Sequence, residues 1–381
     1  MLQTQKNDHQ TVTHTEPNAP YKVISQNVRS DRPAVLSHKL LWSAVLGACA
    51  CVPLKAYAWG ERAHSLIDST AINALPDDGP TYLKKQVSLI ADSASVPDSW
   101  RAASEPFSKM AEDPNHGWFR EQSAFLKTIP HSRVAFILAL YREHERLEAL
   151  GSPEAKRMNV RWADTLPYAV VEGYEHLVAD MRAIREAQAA GHDSSALQTD
   201  TAFMVAWMGH YVADGSQPLH VTIHHDGWVG PNPHHYTRDH NVHGRFESDY
   251  VEMINLTERD LQQHLAPLGH QSGDVFDLVL AYLAQSHRDV ETVYALDQSG
   301  ALKDPQNKAA RHLVYERTAA AAAMLRDLVY RAWRESALPP ETSAQPDPAD
   351  PESPGYDSAS GTVPAARSPS LPPSVRPPPA G

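Results

Sequence analysis

Histidines and carboxylates gather in one stretch of this chain. Eight of the 21 histidines lie between positions 210 and 243. His210 and Asp214 stand four apart, so a helix places both on one face, within reach of a single ion. Pro218 disfavours helix at Gln217 and ends the element. His220 then falls just past the helix end, free to turn toward a neighbouring ion. His243 and Glu247 repeat the four-residue spacing. One such pair is ordinarily a surface hydrogen bond; two pairs bridged by His220 point to metal. Imidazole and carboxylate donors without thiolate suit zinc, and the pattern can leave positions open for water.

The elements that carry these residues read as helices. Ala63–Leu75 has apolar residues at three-to-four spacing and stops at Pro76. Pro130–Leu150 stops at Gly151, and Leu166–Ala190 begins with a proline in its first turn. Gly273–Leu296 and Asn307–Leu338 read as two further long helices. No alternating run of β-branched and aromatic residues suggests a sheet. The expectation is an all-α domain of seven or eight helices.

The 381 residues are 42% hydrophobic and 21% charged, enough apolar material for a substantial core. Net charge is −12, from 34 basic and 46 acidic residues. Such a chain offers no basic surface for stable binding of nucleic acid. If it handles phosphate, another source of positive charge is needed, and a metal supplies it. No apolar run reaches the ~18–20 residues of a membrane-spanning helix.

Four segments follow from composition. Residues 1–38 are a polar extension, disordered or the product of a mis-assigned start. Residues 39–58 have the form of a signal peptide: Lys39, an apolar run from Leu40 to Val52, and Ala56-Tyr57-Ala58 as an A-x-A cleavage site. Cleavage there makes Trp59 the first residue of a secreted or periplasmic protein. A rival reading takes Leu46-Gly47-Ala48-Cys49 as a lipoprotein box with Cys49 lipidated. Cys49 and Cys51 are the only cysteines, so the mature chain has no disulfide. Residues 59–338 form the globular body. Residues 339–381 hold thirteen of the 30 prolines and read as a flexible tail.

Further motifs stand around the histidine-rich stretch: Trp59-Gly60-x-x-x-His64, Pro97-Asp98-x-x-Arg101, and His116. With His210-x3-Asp214-x5-His220 and His243-x3-Glu247 they resemble, in order, the superfamily of zinc-dependent phospholipases C and S1/P1 nucleases. The resemblance spans nearly the whole globular body. It implies a single multi-helix phospholipase C/P1 nuclease-like domain with three zinc ions. Asp98, His116, His210 and Asp214 would hold one ion, and His220, His243 and Glu247 a second. The third would use His64, the second oxygen of Asp214, and the amine and carbonyl of Trp59. That amine exists only after signal cleavage, and a free α-amine titrates near ~8, low enough for zinc to displace its proton.

The resemblance implies hydrolysis of a phosphodiester by a metal-activated water. Asp98 would orient or deprotonate the nucleophile, and Arg101 would clamp a phosphate oxygen. Trp118, Phe119 and Tyr236 could stack a base or cover an acyl chain. Asp226 and Asn241 could brace ligand imidazoles. His224, His225, His234, His235 and His240 are expected to be mostly solvated on a loop at the rim.

The substrate stays open. Asp98-x-x-Arg101 and the long stretch from His220 to His243 are similar to the nuclease branch, which acts on single-stranded nucleic acid. Glu247 looks more like the phospholipase branch. Where nucleases continue Phe-Ile-Asp after the histidine, this chain has Gly117-Trp118-Phe119. The chain is expected to work as a monomer. A secreted zinc-binding helical protein without turnover is the alternative of another class. A di-iron bundle needs paired Glu-x-x-His repeats, and only Glu61-x-x-His64 fits.

Overall fold

The computed structural model describes residues 59–339, apart from 159, 161–163 and 270–271. The expected extension, the signal segment with Cys49 and Cys51, and all but the first residue of the proline-rich tail lie outside the described residues. The described residues are helical, with no strand among them.

Thirteen α-helical segments are distinguished among the described residues. They are α1 (Glu61–Asn73), α2 (Val87–Ser93), α3 (Val96–Ser99), α4 (Pro106–Glu112), α5 (Arg133–Ala149), α6 (Leu166–Ala189) and α7 (Ser195–Ser216). After them come α8 (Val242–Gly244), α9 (Tyr250–Met253), α10 (Glu258–His264), α11 (Val275–His287), α12 (Val290–Gln298) and α13 (Lys308–Glu335). Seven of them reach nine residues or more, in line with the expected seven or eight. No helix among the described residues is long and apolar enough to cross a membrane.

α7 is the axis of the fold. Its residues from Val205 to Ser216 are buried save Trp207, so it reads as apolar nearly all round rather than on one stripe. α6, α13, α2, α1 and α11 pack around it. A short link makes α6 and α7 neighbours. A Cβ at Gly173 of α6 would stand 2.8 Å from the Met208 Cβ of α7, so the glycine permits the close approach. α13 opens with Asn307, whose side chain accepts from the Ala310 N–H, an ordinary N-cap.

One expected helix divides in two. Gly273–Leu296 is α11 and α12, separated at Arg288 and Asp289. No proline or glycine marks the break. It falls where Arg317 of α13 reaches Ser286 Oγ and Asp289 Oδ2, each at 3.4 Å. A contact of this kind between distant parts of the sequence leaves no trace in the local apolar period.

The Gly173 contact yields a test. Gly173→Ala forces Met208 and the α6–α7 crossing to shift, so it should destabilise by about 1–3 kcal/mol. The expected reading is a lower thermal midpoint, by about 2–4 °C per kcal/mol. An unchanged midpoint would show that the two helices have slack there.

Candidate metal centre

Seven short stretches of local structure deliver the donors. α7 carries His210 and Asp214 on one face, both fully buried. At Gln217 the backbone leaves the helix (φ −78°, ψ 118°), and Pro218–Val221 makes a 3-10 turn that bears His220. The Gln217 side chain caps that turn at the Leu219 N–H and donates to Glu247 Oε2 at 3.1 Å. α3 contributes Asp98, and the 3-10 turn Asp113–His116 contributes His116. α1 contributes His64. His243 sits on α8, and Glu247 follows on a π-turn, Arg245–Asp249, that leads into α9. Insertions of this kind often mark functional sites.

Two imidazole nitrogens each face two carboxylate oxygens. His116 Nδ1 and His210 Nε2 are 3.1 Å apart. Asp214 Oδ2 lies 3.1 Å from the first and 3.6 Å from the second. Asp98 Oδ1 lies 3.7 and 3.9 Å from the same two nitrogens. A tetrahedron with bonds of about 2.0 Å has edges of about 3.3 Å, the scale of these separations.

The outer nitrogen of His210 fixes its tautomer. His210 Nδ1 is 2.9 Å from the Ala94 carbonyl, which only an N–H satisfies. That leaves a lone pair on Nε2. His116 Nε2 faces Glu112 Oε1 at 3.4 Å, and the Tyr211 hydroxyl donates to the same carboxylate. Burial pushes the His210 pKa well below its usual value, favouring the neutral ring. Burial also raises the Asp98 pKa, against the pull of His116. Asp98 Oδ2 and Glu247 Oε1 are buried without a hydrogen bond, and so is Asp214 Oδ1, 3.4 Å from His64 Nε2. Imidazole nitrogens and carboxylate oxygens aimed at one another under burial could hold a metal ion.

A second set adjoins the first. Glu247 Oε2 lies 2.8 Å from His243 Nε2 and 3.5 Å from His220 Nε2. The outer nitrogens are again held, His220 Nδ1 by the His116 carbonyl and His243 Nδ1 by Asp226 Oδ1 at 3.3 Å. Burial resists charge on His243, but Glu247 and Asp226 outweigh it and raise its pKa to about 10. Burial would raise Glu247, but His243 and His220 hold it down to about 2. Three donors suit a divalent ion that keeps a position open.

A third group comprises His64, His210 and Asp214, whose donor atoms all lie within 4.8 Å of one another. The His64 ring stacks on His210 at 4.3 Å. Trp59 is fully buried beside it in sequence. Its indole N–H donates to Ser216 Oγ at 3.0 Å, and the Gly60 N–H donates to the Glu247 carbonyl at 3.3 Å. The expected first residue of the mature chain is thus tied to α7 and to the π-turn.

A cavity of about 430 Å³ opens on these sets, lined by His116, His220 and His243 among the donors. Arg101 and Lys109 line it too. Arg101 Nη1 is 3.4 Å from Asp98 Oδ1, and both cations reach Asp113 Oδ1, at 3.2 and 2.9 Å. Phe119 forms part of the wall, stacked on His225 at 4.7 Å. Trp118 and Tyr236 are not among the lining residues. Trp118 packs on Phe136 in the core, and Tyr236 joins Trp228 and Tyr294. Asn241 bonds Asp239 rather than an imidazole, whereas Asp226 braces His243. His225 lines the cavity with its side chain 38% exposed and belongs to none of the three donor sets, as expected of a rim residue; burial, against the pull of Asp226, lowers its pKa to about 4.

Sequence reasoning missed Glu112, Lys109, Asp164 and Gln217. The four-residue spacing of Glu112 and His116 was the one readable signal. Compared with protein-family models and with curated proteins, the chain matches none.

Two outcomes are expected. Asp214 serves two groups through its two oxygens, so Asp214→Ala should lose more bound divalent metal than Glu247→Ala, read by elemental analysis of folded protein. Equal losses would refute the sharing. An ion on His243 Nε2 displaces a proton held up to about pH 10. Metal binding at neutral pH should therefore release protons and strengthen as pH rises. Calorimetric titration in buffers of different ionisation enthalpy reads this, and equal heats would contradict it.

Proposed function

We propose that this chain is a zinc-dependent hydrolase of phosphodiesters, of the S1/P1 nuclease kind, acting on single-stranded nucleic acid or nucleotides. The observation that carries the reading is the four-donor set of Asp98, His116, His210 and Asp214, joined to a three-donor set that borders a cavity with two cations. Nitrogen and oxygen donors without sulfur favour zinc over softer ions.

His64 and Asp214, with the amine of Trp59 after signal cleavage, would complete a third site. Bound zinc would supply an activated water and a Lewis acid for phosphorus. The chain's own residues do the rest. Asp98 keeps Oδ2 free of hydrogen bonds, so it can orient the attacking water and accept its proton. Arg101 and Lys109 bring positive charge to the phosphate, and Asp113 holds both side chains toward the cavity. Glu112, Asp226 and the Ala94 and His116 carbonyls fix the ring orientations before any substrate arrives. In a chain of net charge −12, this cavity is the place where an anion is welcome.

A phospholipase C reading is favoured by one observation. Phe107 and Met110 are 87% and 52% exposed on α4, the helix whose Lys109 lines the cavity. A lipid surface would cover such side chains.

The test uses exported protein whose first residue is shown to be Trp59 by N-terminal sequencing. It should hydrolyse single-stranded DNA and RNA faster than phosphatidylcholine, and a chelator should abolish the activity until zinc is restored. Activity that survives chelation would reject the metal mechanism, and a preference for phosphatidylcholine would move the chain to the phospholipase branch.

A further inference from the structure

The segment that bears His220 presents more than one imidazole. Residues 220–226 carry that donor, the His225 ring stacked on Phe119, and Asp226, which braces His243. Their path follows a second stretch, residues 116–121. His220 Nδ1 is held by the His116 carbonyl, and the Trp118 N–H donates to the His220 carbonyl at 2.8 Å. Glu121 then closes the pair. Its Oε1 accepts from Thr222 Oγ1 at 2.7 Å, and its Oε2 accepts from the Ile223 N–H at 3.1 Å. Thr222 Oγ1 in turn accepts from the His224 N–H at 3.2 Å.

Glu121 faces away from the donor sets. Gly117 and Phe119 line the cavity at the metal centre, whereas Trp118, Arg120 and Glu121 line another, of about 550 Å³. There His287 of α11 meets Glu121 Oε1 at 3.0 Å. Strip 117–121 is thus a wall between two cavities, and the clasp lies on its far face. From that side Glu121 acts on the metal centre only through the residues it holds.

This position calls for an acceptor and nothing else. A hydroxyl, a backbone N–H and an imidazole N–H converge on two oxygens, and a carboxylate satisfies all three. A glutamine of the same size would turn its N–H₂ toward one of those donors. Burial would raise the Glu121 pKa, but the bonds from His287, Thr222 and Ile223 hold it down to about 2. The group is therefore an acceptor at neutral pH.

We infer that Glu121 is a positioning residue for the three-donor set: by holding Thr222 and Ile223 it fixes where His220, His225 and Asp226 stand. This rests on the metal-binding half of the proposed function. His220 Nε2 is one of the three donors, and Asp226 orients a second, His243. The four-donor set hangs on α3, α7 and the turn Asp113–His116, to which the Glu121 side chain makes no hydrogen bond.

The test reads zinc binding itself, by titrating processed, metal-free protein against a chromophoric chelator. The step that belongs to the three-donor set is the one that His243→Ala abolishes. Glu121→Gln should weaken that step by about ten-fold, the lower end of the loss when support behind a metal ligand is removed, and leave the other steps unchanged. Thr222→Val keeps the shape and removes one donor to Glu121. It should weaken the same step by about three-fold, the scale of one hydrogen bond, and it serves alone if the glutamine variant does not fold.

An unchanged step in either folded variant overturns the inference. So does equal weakening of every step, which a merely structural role would produce. Wild-type protein without a step that depends on His243 overturns it as well. Wild-type protein that shows the step, weakened in Glu121→Gln, but hydrolyses no phosphodiester keeps the role of Glu121 and ends the hydrolase reading.

Discussion

Lone pairs that face one another in a dry interior are the constraint around which this molecule is built. His116 Nδ1 and His210 Nε2 each lie within 3.9 Å of Asp98 Oδ1 and of Asp214 Oδ2, and these residues are almost wholly buried. Uncompensated, buried charges of this kind cost several kcal/mol each. Protons relieve part of the repulsion, as the raised pKa values of Asp98, His116 and His243 show. A divalent ion relieves it better, because it satisfies several donors at once and needs no hydrogen-bond geometry.

The rest of the fold serves that arrangement. α7 runs through the core, so its donors are fixed by packing on several sides instead of resting on a surface stripe. Gly209, next to His210, lets α1 come close: a Cβ there would meet Asp68 Oδ1 at 2.5 Å. The π-turn at Arg245–Asp249 keeps Glu247 2.8 Å from His243 Nε2 while its backbone carbonyl meets Gly60. His210, His220 and His243 have their outer nitrogens committed to fixed acceptors. This leaves little freedom at the inner nitrogens, and preorganisation of that sort is what a site for charged transition states requires.

Much of this was legible in the residues. The four-residue spacings of His210 with Asp214 and of His243 with Glu247 need only a helix to become shared donors, and Pro218 announced the turn that carries His220. The limits of α6 and α13 followed from a proline near one start and apolar periodicity to the end. The division between α11 and α12 was not legible, because it coincides with Arg317 reaching across from α13. Nor was the placement of Trp118 and Tyr236. Both are aromatic residues near ligand positions in sequence, but the side of the backbone on which a ring lies depends on what packs against it.

Composition and spacing determined the helical class and the kind of donor. These are local or summed properties: periodicity, ligand chemistry and net charge need no contact between distant residues. Convergence was decided by tertiary structure alone. Asp98 and His210 are 112 positions apart, and His64 and Asp214 are 150 apart, yet their donor atoms lie within 4 Å. The same holds for Glu112 beside His116 and Lys109 at the cavity. Their roles come from which backbones the core presses together, and short-range sequence pattern does not record that.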